Sequence, residues 1–171
     1  MSKVLFVIAP VDFRDEEYLK PKEILEKAGY IVITASTTQN VCKGMHKATV
    51  KPDILIRDAV EANFSALVVV GGNGSPKLWA NTELQELFHD FYDANKLIAC
   101  ICLATVALFR SGLTQGKKVT GWLPEAKEEA DKNGAIYVTE NIIEDDLFIT
   151  AKGPSNAEEF GHKILKRLKS K

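Results

Sequence analysis

Histidine and cysteine are scarce in this chain of 171 residues, which contains three of each. The cysteines, Cys42, Cys100 and Cys102, are an odd number at no metal-ligand spacing, so neither a disulfide framework nor a bound metal is predicted. Such cysteine usage is typical of a reducing compartment, and we expect a cytoplasmic protein. The sequence also lacks a phosphate-binding P-loop and a G-x-G-x-x-G fingerprint, and we expect no cofactor.

A charge excess and long apolar runs are missing as well. The 22 basic and 23 acidic residues leave a formal net charge of −1, which gives no electrostatic basis for binding nucleic acid or an acidic membrane. No segment approaches the roughly 20 apolar residues that a membrane span requires. The basic segment 163–171 is interpreted as the solvated face of a last helix. We therefore predict no nucleic acid partner and no membrane partner.

What the sequence does contain is an alternation of apolar strand-like runs with helix-like stretches. Strands are predicted at 4–8, 31–34, 66–70 and 97–101, with shorter ones near 48–50, 54–56, 119–120, 136–138, 142–143 and 147–150. Helices are predicted at about 15–29, 82–94, 103–112, 124–132 and from 155 onward, the last opening with a capping box. This alternation indicates an α/β fold with a mostly parallel sheet covered on both faces. The length fits one domain, residues 1–171.

Three loops are expected to meet at the carboxyl edge of that sheet, where open α/β folds bind their ligands. They follow Ile8, Val70 and Ile101. The loop after Val70 begins with Gly71 and Gly72, whose backbone N–H groups could approach a developing oxyanion. A tight turn that needs positive φ explains the same glycine pair, and both interpretations stay open.

Cys102 stands between a predicted buried strand and a predicted helix, as in a nucleophile elbow. The partial positive charge at the start of that helix is expected to lower the pKa of the thiol and so to activate it. The alternative is a buried, inert cysteine, which is the interpretation given to Cys100. If the strand continued through both positions, the two thiols would face the same side.

The acidic run Asp15-Glu16-Glu17 begins the first predicted helix, where the helix dipole favours negative charge. One of these carboxyl groups could instead point toward the sheet edge. An ionised carboxyl beside a thiol raises the thiol pKa, whereas a protonated one stabilises the thiolate by donating a hydrogen bond. The three histidines are interpreted as surface residues, so no Cys-His dyad is predicted.

Four segments together resemble those of a known family. They are Phe13–Pro21, Val68–Gly72, Ile98–Cys102, and Ile149–Pro154 with Glu158–Phe160. They are similar to the F-x-D-x-E-x-x-x-P segment, the strand with Gly-Gly, the A-x-I-C elbow, and the T-x-R-G-P and E-F segments of the ThiJ/PfpI superfamily, which is class I glutamine-amidotransferase-like. The resemblance spans nearly the whole chain.

This resemblance implies a flavodoxin-like three-layer sandwich, usually a homodimer. It implies that Cys102 is the reactive cysteine and that Glu17 is a protonated carboxyl group hydrogen-bonded to it. The backbone N–H groups of Gly72 and Leu103 would bind the oxyanion. Gly71, Trp122 and Lys152 are expected to form a secondary wall of the site.

The chain also departs from the family pattern. Leu103 replaces the histidine that follows the cysteine in the protease-like branch, and Lys152 replaces the arginine of T-x-R-G-P, losing bidentate anion recognition. Other members carry histidine just after the Lys-Val-Thr strand, where this chain has the segment Gly121-Trp122-Leu123-Pro124. These departures disfavour a Cys-His protease mechanism. Proton transfer would fall to Glu17 and water.

Two functions of different classes follow. The first is glyoxalase or deglycase chemistry, with a small carbonyl compound or a modified protein side chain as the partner of Cys102. The second is a redox-sensing or chaperone-like stress protein in which Cys102 is oxidised. A cysteine peptidase is the third and least favoured.

Overall fold

A computed structural model describes residues 1–170, and its centre is one seven-stranded sheet with helices on both faces. The strands are β1 Lys3–Val7, β2 Val11–Phe13, β3 Ile31–Ser36, β4 Cys42–Gly44, β5 Thr49–Val50, β6 Ile54–Leu55, β7 Ala66–Val69, β8 Leu97–Ile101, β9 Lys118–Val119, β10 Ile136–Tyr137, β11 Ile142–Asp145 and β12 Phe148–Ala151. The α-helices are α1 Asp15–Lys27, α2 Thr82–Asp93, α3 Thr105–Arg110, α4 Glu125–Lys132 and α5 Ala157–Lys169.

The strand order in the central sheet is β11-β12-β8-β7-β1-β3-β6. Every neighbouring pair is parallel except β11 and β12, which form an antiparallel edge. Parallel strands of this kind are buried on both faces, and their sequences are therefore continuous apolar runs. The predicted α/β three-layer sandwich with a mostly parallel, flavodoxin-like sheet is confirmed.

Successive side chains of a central strand pack alternately into two separate hydrophobic cores, one on each face of the sheet. In β1, Leu5 and Val7 pack under α2, α3 and α4, whereas Val4 and Phe6 pack under α1 and α5. Within the second layer, Gly161 of α5 lets the two helices approach closely, because a Cβ there would lie 2.9 Å from the Cα of Pro21. The period-two alternation thus explains why both faces of the sheet carry helices.

Two local predictions were wrong. The segment expected as a polar loop after β1 contains β2, which pairs with β4 and, through it, β5 in a small separate sheet. That pairing joins residues far apart in the sequence, and a strand of three residues is too short to show a recognisable alternation.

The start of the last helix also differs from the prediction. It is preceded by a 3-10 turn, Pro154–Asn156, and no side chain caps α5. The capping-box sequence therefore makes no capping-box hydrogen bonds.

Asp15 fastens the β4–β5 hairpin to the start of α1. Its side-chain oxygens accept hydrogen bonds from the backbone N–H groups of His46 at 2.8 Å and Ala48 at 2.7 Å. The residue is only 5% exposed, and a Cβ on Gly44 would lie 2.5 Å from Oδ2. The acidic residue that the helix dipole alone seemed to explain therefore has a second, tertiary role.

We expect Asp15→Ala to lower the free energy of unfolding by about 2 kcal/mol, because two backbone N–H groups lose a charged acceptor. Asp15→Asn retains one acceptor oxygen and should lose roughly half as much. Urea unfolding of the two variants and the wild type measures both effects. Equal losses in the two variants would mean that the carboxylate is not what holds the hairpin.

Candidate active site

Cys102 follows β8 directly and adopts a left-handed backbone conformation with φ of +60°. Such a φ is uncommon for a residue other than glycine and is found where the surrounding structure enforces it. Here the Cys102 carbonyl accepts a 2.8 Å hydrogen bond from Thr105 Oγ1 and a 3.5 Å hydrogen bond from the backbone N–H of Trp122. The chain then enters a 3-10 turn, Cys102–Ala104, and α3.

The turn at Cys102 takes its side chain out of the alternation of β8. Cys102 packs in the layer that contains α1 and α5, whereas the fully buried Cys100 packs in the opposite layer. The two thiols would face the same side only if the strand continued through Cys102, and β8 ends at Ile101. All three cysteines are free thiols.

Glu17 reaches the same point from the first turn of α1. Its side chain is fully buried, and Oε2 accepts a 2.9 Å hydrogen bond from the Gly71 N–H. Burial raises the pKa of this carboxyl group to about 7, against the opposing effects of hydrogen bonds from Cys102 and Gly71. Oε1 is buried and has no hydrogen-bond partner within residues 1–170.

Burial also raises the pKa of the Cys102 thiol, since the residue is 6% exposed, and the Glu17 carboxylate raises it further. Hydrogen bonds from the backbone N–H groups of Leu103 and Gly72 act in the opposite direction. This corrects the expectation of a thiol pKa lowered by the helix start. The α3 helix has only six residues, and its partial charge is outweighed by desolvation and by a neighbouring carboxylate.

The glycine pair is required by close packing around this thiol and carboxyl. A Cβ on Gly71 would lie 2.7 Å from Glu17 Oε2 and 2.8 Å from Cys102 Cβ. Gly72 has φ of +109°, and a Cβ there would lie 2.4 Å from the backbone nitrogen of Arg14. Gly71 therefore lies between the Glu17 carboxyl group and the Cys102 side chain. The positive φ of Gly72 fits the tight-turn interpretation, and the oxyanion interpretation of the glycine pair stays a prediction.

Trp122 and Lys152, the other two expected wall residues, lie together at a neighbouring cavity of about 250 Å³. The structure thus divides the predicted site residues into two groups. Glu17, Gly71, Gly72 and Leu103 surround Cys102, and Trp122 and Lys152 line the cavity beside it. The hydrogen bond from the backbone N–H of Trp122 to the Cys102 carbonyl connects the two groups.

Arg14 is a charged residue of the site that sequence reasoning missed. Its Nε lies 2.8 Å from Glu16 Oε2, and its guanidinium also acts on the charges of Glu17 and Cys102. Its backbone N–H donates to the Gly71 carbonyl at 2.9 Å. Its position immediately before the acidic run Asp15-Glu16-Glu17 is the sequence signal that could have indicated it.

Three further features could indicate a function within residues 1–170: a metal cluster, a buried histidine and a membrane-spanning helix. Within that range, no group of three or more His, Cys, Asp or Glu side chains is arranged to hold a metal. The three histidines, His46, His89 and His162, are all exposed. None of the helices described there has both the length and the apolar character that crossing a bilayer would take.

An α/β sandwich with an elbow cysteine beside a buried carboxyl group defines a recognisable class, and comparison with known proteins agrees. The model of the DJ-1/PfpI family matches residues 2–167, and the chain belongs to that family. It is 44% identical over 169 residues to a protein of Methanocaldococcus jannaschii, covering 98% of this chain and 82% of the relative. It is 26% identical to the glutathione-independent glyoxalase DJR-1.2 of Caenorhabditis elegans, covering 98% and 89%.

The solved structures include a ThiJ/PfpI domain protein from Brachyspira murdochii with a TM-score of 0.95 and 28% identity. That comparison covers 99% of this chain and 97% of the other. The family resemblance stated from the sequence is thereby confirmed.

Proposed function

We propose that this protein acts on small reactive carbonyl compounds, or on their adducts with protein side chains, by glyoxalase- or deglycase-type chemistry at Cys102. One observation carries the proposal: the buried Glu17 carboxyl, with a pKa of about 7, stands directly against the thiol. A group with a pKa near the working pH is best suited to accept and return protons. The similarity to a glyoxalase of Caenorhabditis elegans supports the same chemistry.

The first step follows from this geometry. Cys102 Sγ attacks the carbonyl carbon and forms a C–S bond, while the thiol proton passes to the Glu17 carboxylate. The carbonyl electron pair moves to oxygen, and the N–H groups of Gly72 and Leu103, which already point toward the sulfur, stabilise the resulting oxyanion. Return of the proton from Glu17 to that oxygen gives a neutral hemithioacetal. A resting thiol is therefore compatible with attack, because the base lies next to it.

The alternatives have less support. Redox sensing is favoured by an exposed, low-pKa thiol, whereas Cys102 is nearly buried and its thiol pKa is raised. A peptidase would need a histidine at the thiol, and the chain has Leu103 in the adjacent position. The homodimer remains a proposal from the family resemblance, which the exposed apolar side chains of Val11, Leu19 and Val41 support.

Consumption of methylglyoxal by the purified protein tests the proposal. Cys102→Ser should lower the rate at least about 100-fold, because the hydroxyl is a far weaker nucleophile. Cys42→Ser is the matched control: Cys42 is also buried but lies in β4, and its loss should leave the rate unchanged. Equal rates for the wild type and Cys102→Ser would refute the proposed chemistry.

A further inference from the structure

The cavity beside the elbow has the composition of a binding site. It measures about 250 Å³, just below the roughly 300–1,000 Å³ of pockets for drug-sized ligands, and so suits a single ring. The residues around it include Trp122, Asn141, Lys152, Gly153, Ser155 and Asn156.

The indole of Trp122 forms a flat apolar wall held in place by backbone. Gly153 lies so close to the ring that a Cβ there would be 2.9 Å from both Cε3 and Cζ3. Trp122 is nonetheless 44% exposed, and its Nε1 donates no hydrogen bond to any group in residues 1–170. A large aromatic side chain that is fixed on one side and open on the other can stack against a planar ligand.

The polar side chains of the cavity leave most of their hydrogen-bonding capacity unused within residues 1–170. Lys152 Nζ makes a single 3.3 Å hydrogen bond to the Thr139 carbonyl and has no carboxylate within ion-pair distance in the described chain. The side chains of Asn141, Ser155 and Asn156 make no hydrogen bond to residues 1–170. An ammonium, a hydroxyl and two amides can together donate to a ligand that supplies acceptor oxygens and a negative charge.

The cavity is joined to the reactive thiol through one residue. The backbone N–H of Trp122 donates to the Cys102 carbonyl, while the indole of Trp122 lines the cavity. We propose that this cavity is a subsite for a planar, carboxylate-bearing group, and that it selects carbonyl substrates that carry such a group. The selection of substrates rests on the proposed function, whereas the binding of the group does not.

Titration with benzoate, followed by tryptophan fluorescence, tests the subsite directly. Benzoate has a ring and a carboxylate but no reactive carbonyl, so its binding is independent of Cys102 chemistry. We expect a saturable change in emission at millimolar benzoate or below. Trp122→Phe should abolish the change, while the emission of Trp79, the other tryptophan, stays as an internal reference.

Variants of Lys152 separate charge from shape. Lys152→Met should weaken benzoate binding about tenfold, Lys152→Arg should retain it, and uncharged benzamide should bind the wild type about as weakly as benzoate binds Lys152→Met. Absence of a saturable change in the wild type, or equal affinity in Lys152→Met, would overturn the subsite.

The two proposals can fail separately. If Cys102→Ser consumes methylglyoxal as the wild type does but benzoate binding behaves as described, the proposed chemistry fails and the subsite stands. If turnover depends on Cys102, benzoate should inhibit it competitively, with an inhibition constant equal to its dissociation constant in the fluorescence titration. Turnover that saturating benzoate leaves unaffected would overturn the role of the cavity in substrate selection.

Discussion

Replacing Glu17 by glutamine is expected to remove a loss of stability that the wild type suffers between pH 4 and pH 8. Over this range the free energy of unfolding of Glu17→Gln, measured relative to that of the wild type, should rise by about 3 kcal/mol. The carboxyl group has an ordinary pKa of 4.5 and a pKa of about 7 when buried in the fold. Between these values the folded state retains a proton that the unfolded state has released. The contribution of Glu17 to stability is therefore complete below about pH 4.5 and is lost as the pH rises through about 7. Glutamine has no proton to lose.

The measurement is urea unfolding of the wild type and Glu17→Gln at several pH values between 4 and 8. The quantity of interest is the difference between the two proteins, because other titrating groups affect both alike. Glu16→Gln is the matched control, since the neighbouring carboxyl is paired with Arg14 and its pKa is lowered. Its contribution is present at neutral pH and lost on acidification, so the control should show the opposite trend. Parallel stability curves for the wild type and Glu17→Gln would contradict the buried, proton-holding carboxyl.

Elements of the fold could be predicted where their own sequence determines them, and could not where they depend on contacts with distant residues. The strands β1, β7 and β8 are buried on both faces, so their sequences are unbroken apolar runs that end in turns. The small sheet of β2, β4 and β5 was missed or only partly predicted, because its short strands depend on Asp15 and on pairing across a long stretch of chain. Three residues provide too little periodicity to identify such a strand.

The site shows the same division. Topology alone placed the Gly71-Gly72 loop and the turn at Cys102 at one edge of the sheet. It could not distinguish Glu17 from Glu16, because the helix dipole favours a carboxyl at either position, and the family resemblance supplied the choice. The pKa of the Cys102 thiol was predicted in the wrong direction, because burial is a tertiary property that the helix-start rule does not contain.

The second large effect is expected at Gly71. Gly71→Ala would place a methyl group 2.7 Å from Glu17 Oε2 and 2.8 Å from both Cys102 Cβ and the Ile101 carbonyl oxygen. All three neighbours are buried and one is backbone, so the overlap cannot be relieved by a side-chain rotation alone. Overpacking of this kind costs about 1–3 kcal/mol or more, and we expect a loss of at least about 3 kcal/mol. Because the methyl group separates Glu17 from Cys102, methylglyoxal consumption should fall about 100-fold as well.

Gly161→Ala distinguishes a damaged site from a damaged fold. A Cβ on Gly161 would lie 2.9 Å from the Cα of Pro21 and 2.8 Å from Ile24 Cδ1, where α1 and α5 pack, and it touches no group of the site. It should also destabilise the protein, by somewhat less, because alanine favours the helix by about 1 kcal/mol. Methylglyoxal consumption by the folded variant should stay at the wild-type rate, with urea unfolding used to choose conditions in which both variants are folded. If the two variants lost activity in proportion to their loss of stability, the role of Gly71 would be packing alone.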